Sequence, residues 1–291
     1  VARPAGFLRL IAPAALGLVL LFVIAVLAGS GADHQVAPEH RAKKSAHAHS
    51  GPTVAGRPTA RVSGRHDSPV PILMYHVTKA APAATPYPEL WVSPADFRGQ
   101  MQWLAENGFT GITMAQLFNY WDEGFKLPRK PVVISFDDGY PSHAAVARPV
   151  LAAHHWPGVL FLELSNVGSP QTGLTSAMIE KLIAAGWEIG SHTIDHPDLT
   201  TLSGASLRRE VAGSRRQIAA KFDVPVDFFC YPAGRFNAAT VAAVERAGYR
   251  GAVTVLDGLA TPEREFELKR VRIDGNDGVA GFAAKMRQSG Q

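Results

Sequence analysis

The sequence predicts an α/β fold: a distorted or incomplete (β/α) barrel of about seven parallel strands, preceded by one transmembrane helix. Two observations predict the barrel and a third the helix. From Pro69 onward short apolar runs alternate with segments of helical period, and repeated strand–helix units imply parallel pairing with right-handed crossovers. Polar clusters follow three of these runs at their C-terminal ends, where a barrel of this kind gathers its functional groups. Finally, Leu10 to Ala28 is an uncharged apolar run behind Arg3 and Arg9, long enough at about 1.5 Å per residue to span a hydrocarbon core of about 30 Å. An open doubly wound sheet is the alternative to the barrel, because periodicity does not reveal closure.

Taken in order, residues 1–32 read as a cytoplasmic stub and signal-anchor helix. Basic residues on the N-terminal side place that end in the cytoplasm and everything after it outside. The small residues Ala28-Gly29-Ser30 keep a cleaved signal peptide, and hence secretion, as the competing expectation. Residues 33–68 are rich in Pro, Ala, His and Lys without apolar periodicity and read as a disordered linker. Its His34, His40, His47 and His49 lack a scaffold for metal binding. Residues 69–291 form the folded domain. Pro71–Tyr75 reads as a buried strand, and Ser93 to Asp96 as a helix start whose Phe97, Met101 and Leu104 share one face. Gly108 ends that helix. Val132–Phe136 is the strongest strand, followed by a helix near Ala144–His154 and a strand Gly158–Leu162. Thr175 caps a helix that stops at Gly186. Strand Trp187–Ile189, a long helix Ser203–Phe222, strand Asp227–Tyr231, helix Ala238–Arg246, strands Gly251–Val255 and Leu268–Ile273, and a helix Gly278–Met286 complete the alternation.

Composition narrows the function. With 46% hydrophobic and 19% charged residues the chain is a foldable globular protein. The net charge of +4 owes much to basic residues before Pro69. The folded part offers no basic face interleaved with aromatics, so no nucleic-acid partner is expected. The single cysteine, Cys230, excludes an internal disulfide and any Cys-x-x-Cys motif. An exported domain of this size must then be stable by core burial alone. The oligomeric state leaves no trace in the sequence.

The polar clusters are Asp137-Asp138-Gly139, His192 to His196, and Tyr231-Pro232-Ala233-Gly234. Successive strand side chains point to opposite faces, so two adjacent carboxylates reach one centre only if the backbone turns irregularly, which Gly139 permits. His192 and His196 follow the next strand but one. Catalytic zinc typically takes three His or carboxylate ligands plus a water. Two histidines and one aspartate supply that set, leaving the other aspartate as a base. Thr193, Asp195 and Asp198 are candidates to hold imidazole N–H groups. Trp91, Trp103, Trp121 and Tyr140 are candidates to line a binding groove, with Tyr140, next to the first cluster, the one to stack on a ligand ring; Trp103 fits the core better. Cys230 reads as buried packing.

Together these residues resemble the polysaccharide deacetylases of carbohydrate esterase family 4, the NodB-homology domain. Ser135-Phe136-Asp137-Asp138-Gly139 is similar to that family's first motif and Ser191 to Pro197 to its second. Leu73-Met74-Tyr75-His76-Val77 resembles the poly-N-acetylglucosamine deacetylase branch. The resemblance spans Pro69 to Met286. It implies a metal-dependent hydrolase that removes N-acetyl groups from an extracytoplasmic amino-sugar polymer. Asp138, His192 and His196 would hold one divalent ion, most simply zinc, with cobalt, nickel or iron compatible. Asp137 would be the general base, and a backbone N–H of the Tyr231–Gly234 loop, that of Ala233, would meet the oxyanion.

Two departures from the family pattern stand out. The third motif lacks its usual arginine, so support for the base falls to Arg270 or Arg272. The C-terminal Leu-x-His that supplies the acid is missing, and the branch resemblance points to His76 instead. Alternatives from other classes are an O-acetyl polysaccharide esterase using the same site and a non-catalytic glycan-binding module.

Overall fold

A computed structural model of the chain describes residues 61–288. The membrane helix expected at residues 10–28, and the linker with its four histidines as far as residue 60, lie outside the described residues. Among the described residues no helix is long and apolar enough to cross a membrane.

Seven parallel strands close a ring. They are β1 (Ile72–Tyr75), β3 (Lys130–Asp138), β4 (Val159–Leu162), β5 (Glu188–Ser191), β6 (Phe228–Cys230), β7 (Gly251–Asp257) and β8 (Leu268–Arg272). Neighbours pair in that order, and β8 pairs with β1 to complete the circuit. The ring is thus a closed barrel rather than an open sheet. An eighth strand, β2 (Phe109–Ile112), lies outside it, pairing with the first half of β3 from Lys130 to Val133, while β1 takes Val133 to Phe136. Neither β2 nor the helix after it was predicted. β2 is four residues long with a glycine at its third position, too short to show a period.

That helix, α2 (Met114–Glu123), begins with a capping box between Thr113 and Gln116. It buries Leu117, Phe118 and Trp121 against the barrel-interior residues Val133, Phe161, Phe228 and Val253. Phe118 and Phe228 rings lie 4.8 Å apart. β2 and α2 therefore form a unit that covers the interior core. The opposite strand faces, including Leu73, Ile134, Phe136, Leu160 and Phe229, pack under the outer helices. Burial on both faces explains why these strands read as continuous apolar runs.

α1 (Pro94–Glu106) starts as expected, with Ser93 Oγ accepting the Asp96 N–H at 3.1 Å, and buries Phe97, Met101 and Leu104. Each of these contributes roughly 1.5–3 kcal/mol. α4 (Ser176–Ala184), α7 (Ala238–Arg246) and α8 (Gly278–Gln288) match the predicted helices. Two predicted helices differ in kind. The stretch near 144–154 is a wide π turn, His143–Ala147, running into α3 (Arg148–Ala153). The stretch 203–222 is α5 (Gly204–Arg208), a π turn at Arg209–Gly213, and α6 (Ser214–Phe222).

Residues 61–68, the end of the segment read as linker, lie against the C-terminal end of α2. Val62 N–H donates to Gly124 C=O at 2.8 Å, Arg61 bridges Phe125, and Trp121 Nε1 donates to Ser68 C=O at 3.2 Å.

Candidate active site

All three polar clusters stand at the C-terminal mouth of the barrel. On β3 the side chains alternate, so Val133 and Asp137 fall on the interior face while Ile134 and Phe136 point outward. Asp137 is 2% exposed. Facing it from β8 is Arg270, the largest fully buried side chain. Its Nη1 donates to Asp137 Oδ1 and its Nη2 to Oδ2, both at 2.8 Å. Nε donates to Thr254 C=O at 2.8 Å, and Nη1 also reaches Ser135 Oγ at 3.2 Å. Of the two arginines left open by the sequence, Arg270 thus meets the carboxylate. Arg272 lines the mouth and pairs with Asp274 at 2.8 Å. Burial alone raises the Asp137 pKa, but the Arg270 guanidinium overrides it and holds the carboxyl well below the usual range.

Asp138 departs from the strand. Its φ of 73° lies in the left-handed region, followed by Gly139 at 93°, so the irregularity begins one residue earlier than Gly139. This reversal carries Asp138 to the mouth beside the histidines. Its Oδ1 is 3.4 Å from His192 Nε2 and 3.8 Å from His196 Nε2, and the three donor atoms lie within 4.8 Å of one another. His192 Nδ1 bonds to Cys230 C=O at 2.8 Å. Since a carbonyl only accepts, Nδ1 carries the proton and Nε2 presents its lone pair to the cluster.

Burial, then Asp137, then Glu163 push the Asp138 pKa up to about 7. No lysine or arginine among the described residues forms an ion pair with it. A carboxylate so placed, with two imidazole nitrogens beside it, is a donor set suited to a divalent cation. Asp137, His192 and Cys230 also converge, but there the carboxylate is already paired with the Arg270 guanidinium. The Cys230 thiol, pushed up by burial, keeps its proton and donates toward Asp137 at 3.6 Å.

His76, just past β1, brings Nε2 to 3.8 Å from Asp137 Oδ2. Burial lowers its pKa to about 4, against the upward pull of Asp137. Its backbone carbonyl accepts from Nε2 of the buried His143, and Thr78 N–H donates to Ser142 Oγ at 3.1 Å. Sequence reasoning missed His143, which carries no motif.

Tyr231-Pro232-Ala233-Gly234 forms a tight turn with Ala233 at φ 51° and Gly234 at 67°. Tyr231, Ala233 and Gly234 line the mouth, although the Tyr231 hydroxyl is turned away to Phe266 C=O at 3.0 Å. Tyr140 lines the mouth as expected, with its hydroxyl toward the Asp138 carboxylate. None of Trp91, Trp103 and Trp121 lines this cavity of about 520 Å³; Tyr87, Glu89 and Glu163 do, and none of these three was foreseen. The expected imidazole partners also differ. Thr193 Oγ1 accepts the His196 backbone N–H at 2.9 Å. Asp195 pairs with Arg209 at 2.7 Å and Asp198 with Arg235 at 3.0 Å.

Comparison with known proteins follows the same lines. Residues 125–252 match the polysaccharide deacetylase family. YxkH of Bacillus subtilis, named for that family, is 31% identical over 215 residues, 74% of each chain. The poly-beta-1,6-N-acetyl-D-glucosamine N-deacetylase of Escherichia coli K12 is 27% identical over 237 residues, which is 67% of this chain and 35% of that protein. The chain therefore spans about a third of that relative's length. Among solved structures, the Streptococcus pyogenes deacetylase PplD in complex with acetate shares the fold at a TM-score of 0.70 and 24% identity, over 76% of this chain and 99% of that one.

Proposed function

This chain belongs to the polysaccharide deacetylases, and from that enzyme class we propose that it hydrolyses N-acetyl groups of an N-acetylglucosamine polymer with one divalent metal ion. The observation that carries this reading is the division between two adjacent carboxylates. Asp137 is locked as an anion by Arg270, while Asp138 meets two imidazoles and, among the described residues, no lysine or arginine partner. One carboxylate is thereby free to act as a base and the other to bind metal.

Asp138, His192 and His196 would hold the ion. When bound, such an ion lowers the pKa of its water and polarises the acetyl carbonyl. Asp137 accepts the proton of the attacking water at Oδ2. His76 is neutral in the resting protein, so it must gain a proton before it can give one to the leaving nitrogen. Its Nε2, 3.8 Å from Asp137 Oδ2, is placed to receive that proton once the base has taken it. The Ala233 N–H, on the turn at the mouth, would donate to the oxyanion.

Zinc is the ion the donor set favours, with cobalt, nickel and iron compatible. The substrate assignment draws on the Escherichia coli relative's name and on Leu73–Val77. The apolar run at residues 10–28 behind two arginines supports a single-pass anchor with the catalytic domain outside the cytoplasm, or secretion if the run is cleaved. The test is acetate release from β-1,6-linked N-acetylglucosamine oligomers by the full chain. We expect release that a chelator stops and added zinc restores. Release indifferent to chelation would refute the metal, and release only from O-acetylated glycans would refute the amide substrate.

A further inference from the structure

His192 and His196 sit on a loop whose successive backbone N–H groups are all engaged. His192 N–H donates to Leu162 C=O at 2.9 Å, Thr193 N–H to Ser191 Oγ at 3.3 Å, and His196 N–H to Thr193 Oγ1 at 2.9 Å. The two between them, of Ile194 and Asp195, converge on a single distant atom. Both donate to Oε2 of Glu210, at 2.9 and 3.1 Å.

Glu210 is 2% exposed. Its other oxygen accepts from Arg209, whose guanidinium also pairs with Asp195 at 2.7 Å. It stands in the π turn between α5 and α6. Such turns insert an extra residue into a helix and concentrate at functional sites. The loop it grips is strained: Thr193 and His196 have φ of 70° and 52°, conformations that residues with side chains hold only where their surroundings enforce them.

We infer that Glu210 is a positioning residue for the histidine pair, holding Ile194 and Asp195 so that both imidazoles face Asp138 before any ion arrives. The inference rests on the reading of Asp138, His192 and His196 as metal ligands. A loop ordered in advance loses less freedom on binding, and removing partners that orient ligands typically weakens metal affinity 10- to 100-fold.

The experiment measures zinc affinity of the full chain by competition with a chromophoric chelator, alongside amide hydrogen exchange of the metal-free protein. Glu210→Asp withdraws the carboxylate by one methylene, and its zinc affinity should fall about 10- to 100-fold. Glu210→Gln keeps an oxygen acceptor and should bind zinc nearly as the parent does. In the metal-free parent, Ile194 and Asp195 amides should be as protected as those of β4 and β5, and in Glu210→Asp they should exchange freely. Parental zinc affinity in Glu210→Asp would overturn the inference, and so would unprotected Ile194 and Asp195 amides in the metal-free parent. If Glu210→Asp fails to fold, the parent's exchange and Glu210→Gln decide. If the parent binds no zinc, the ligand reading fails separately, and loss of protection confined to Glu210→Asp still establishes the grip of Glu210 on the loop.

Discussion

Arg270 and Asp137 meet inside the barrel through two parallel hydrogen bonds of 2.8 Å, from side chains 0% and 3% exposed. A buried ion pair of this kind is costly to break from one side, by about 3–5 kcal/mol, because the partner charge is left uncompensated. Arg270→Met should therefore lower stability by about that amount, read from urea midpoints. Arg270→Lys keeps the charge but loses the planar fork, so the fold should survive while kcat drops at least about tenfold with the base no longer held in place. Unchanged kcat in Arg270→Lys would remove Arg270 from the catalytic account.

Asp137→Asn separates the base from the ligand set. The metal content should stay near that of the parent while acetate release falls by about 10²- to 10⁴-fold, the range for loss of a general base. Retained turnover would reassign the base.

His76→Gln tests the acid. The expectation is a fall in kcat of about 10²- to 10⁴-fold, with metal content and KM little changed, because the imidazole reaches Asp137 rather than the ligand triad. A fall confined to KM would make His76 a substrate contact instead.

Asp138→Asn addresses the ion itself. Ligand binding to the folded state alone stabilises by about 2.7 kcal/mol at a hundredfold excess over Kd. Zinc should raise the Tm of the parent and leave Asp138→Asn unmoved, and equal shifts in both proteins would place the ion elsewhere.

Glu188 gives a pH dependence remote from the mouth. Its carboxylate accepts N–H bonds from Met114 and Ala115 at the start of α2, at 2.7 and 3.1 Å. Burial nonetheless pushes its pKa from 4.5 up to about 7. The folded chain thus retains a proton that the unfolded chain has released. The stability this confers is complete below the unfolded pKa and is lost as pH rises through about 7, by at most about 3 kcal/mol. Relative to Glu188→Gln, the parent should lose stability between about pH 5 and pH 8, measured as the difference in urea midpoints. A difference that does not change with pH would show that Glu188 titrates normally.

Most strands of the ring were legible because they are short apolar runs (β5, Glu188–Ser191, and β8, Leu268–Arg272, are the polar exceptions), and Asp137, Asp138, His192 and His196 were legible because they follow strand ends directly. β2 was not, since Phe109–Ile112 is short and contains Gly111. The two π turns were hidden inside helical periodicity, which one added residue disturbs too little to notice. Their consequences were hidden with them: nothing in the spacing says that His143 reaches the His76 carbonyl or that Glu210 reaches Ile194. The choice between Arg270 and Arg272 depended on strand alternation. Leu268 faces the interior, so Arg270 does as well, and the last strand's register was not readable until its neighbours were in place.

Residues 61–68 join the barrel beside Gly124 and Phe125, at the end where its strands begin, while Asp137, Asp138, His192 and His196 stand where the strands finish. The segment that leads into β1 therefore meets the barrel at its base, and residues 61–68 leave the mouth uncovered.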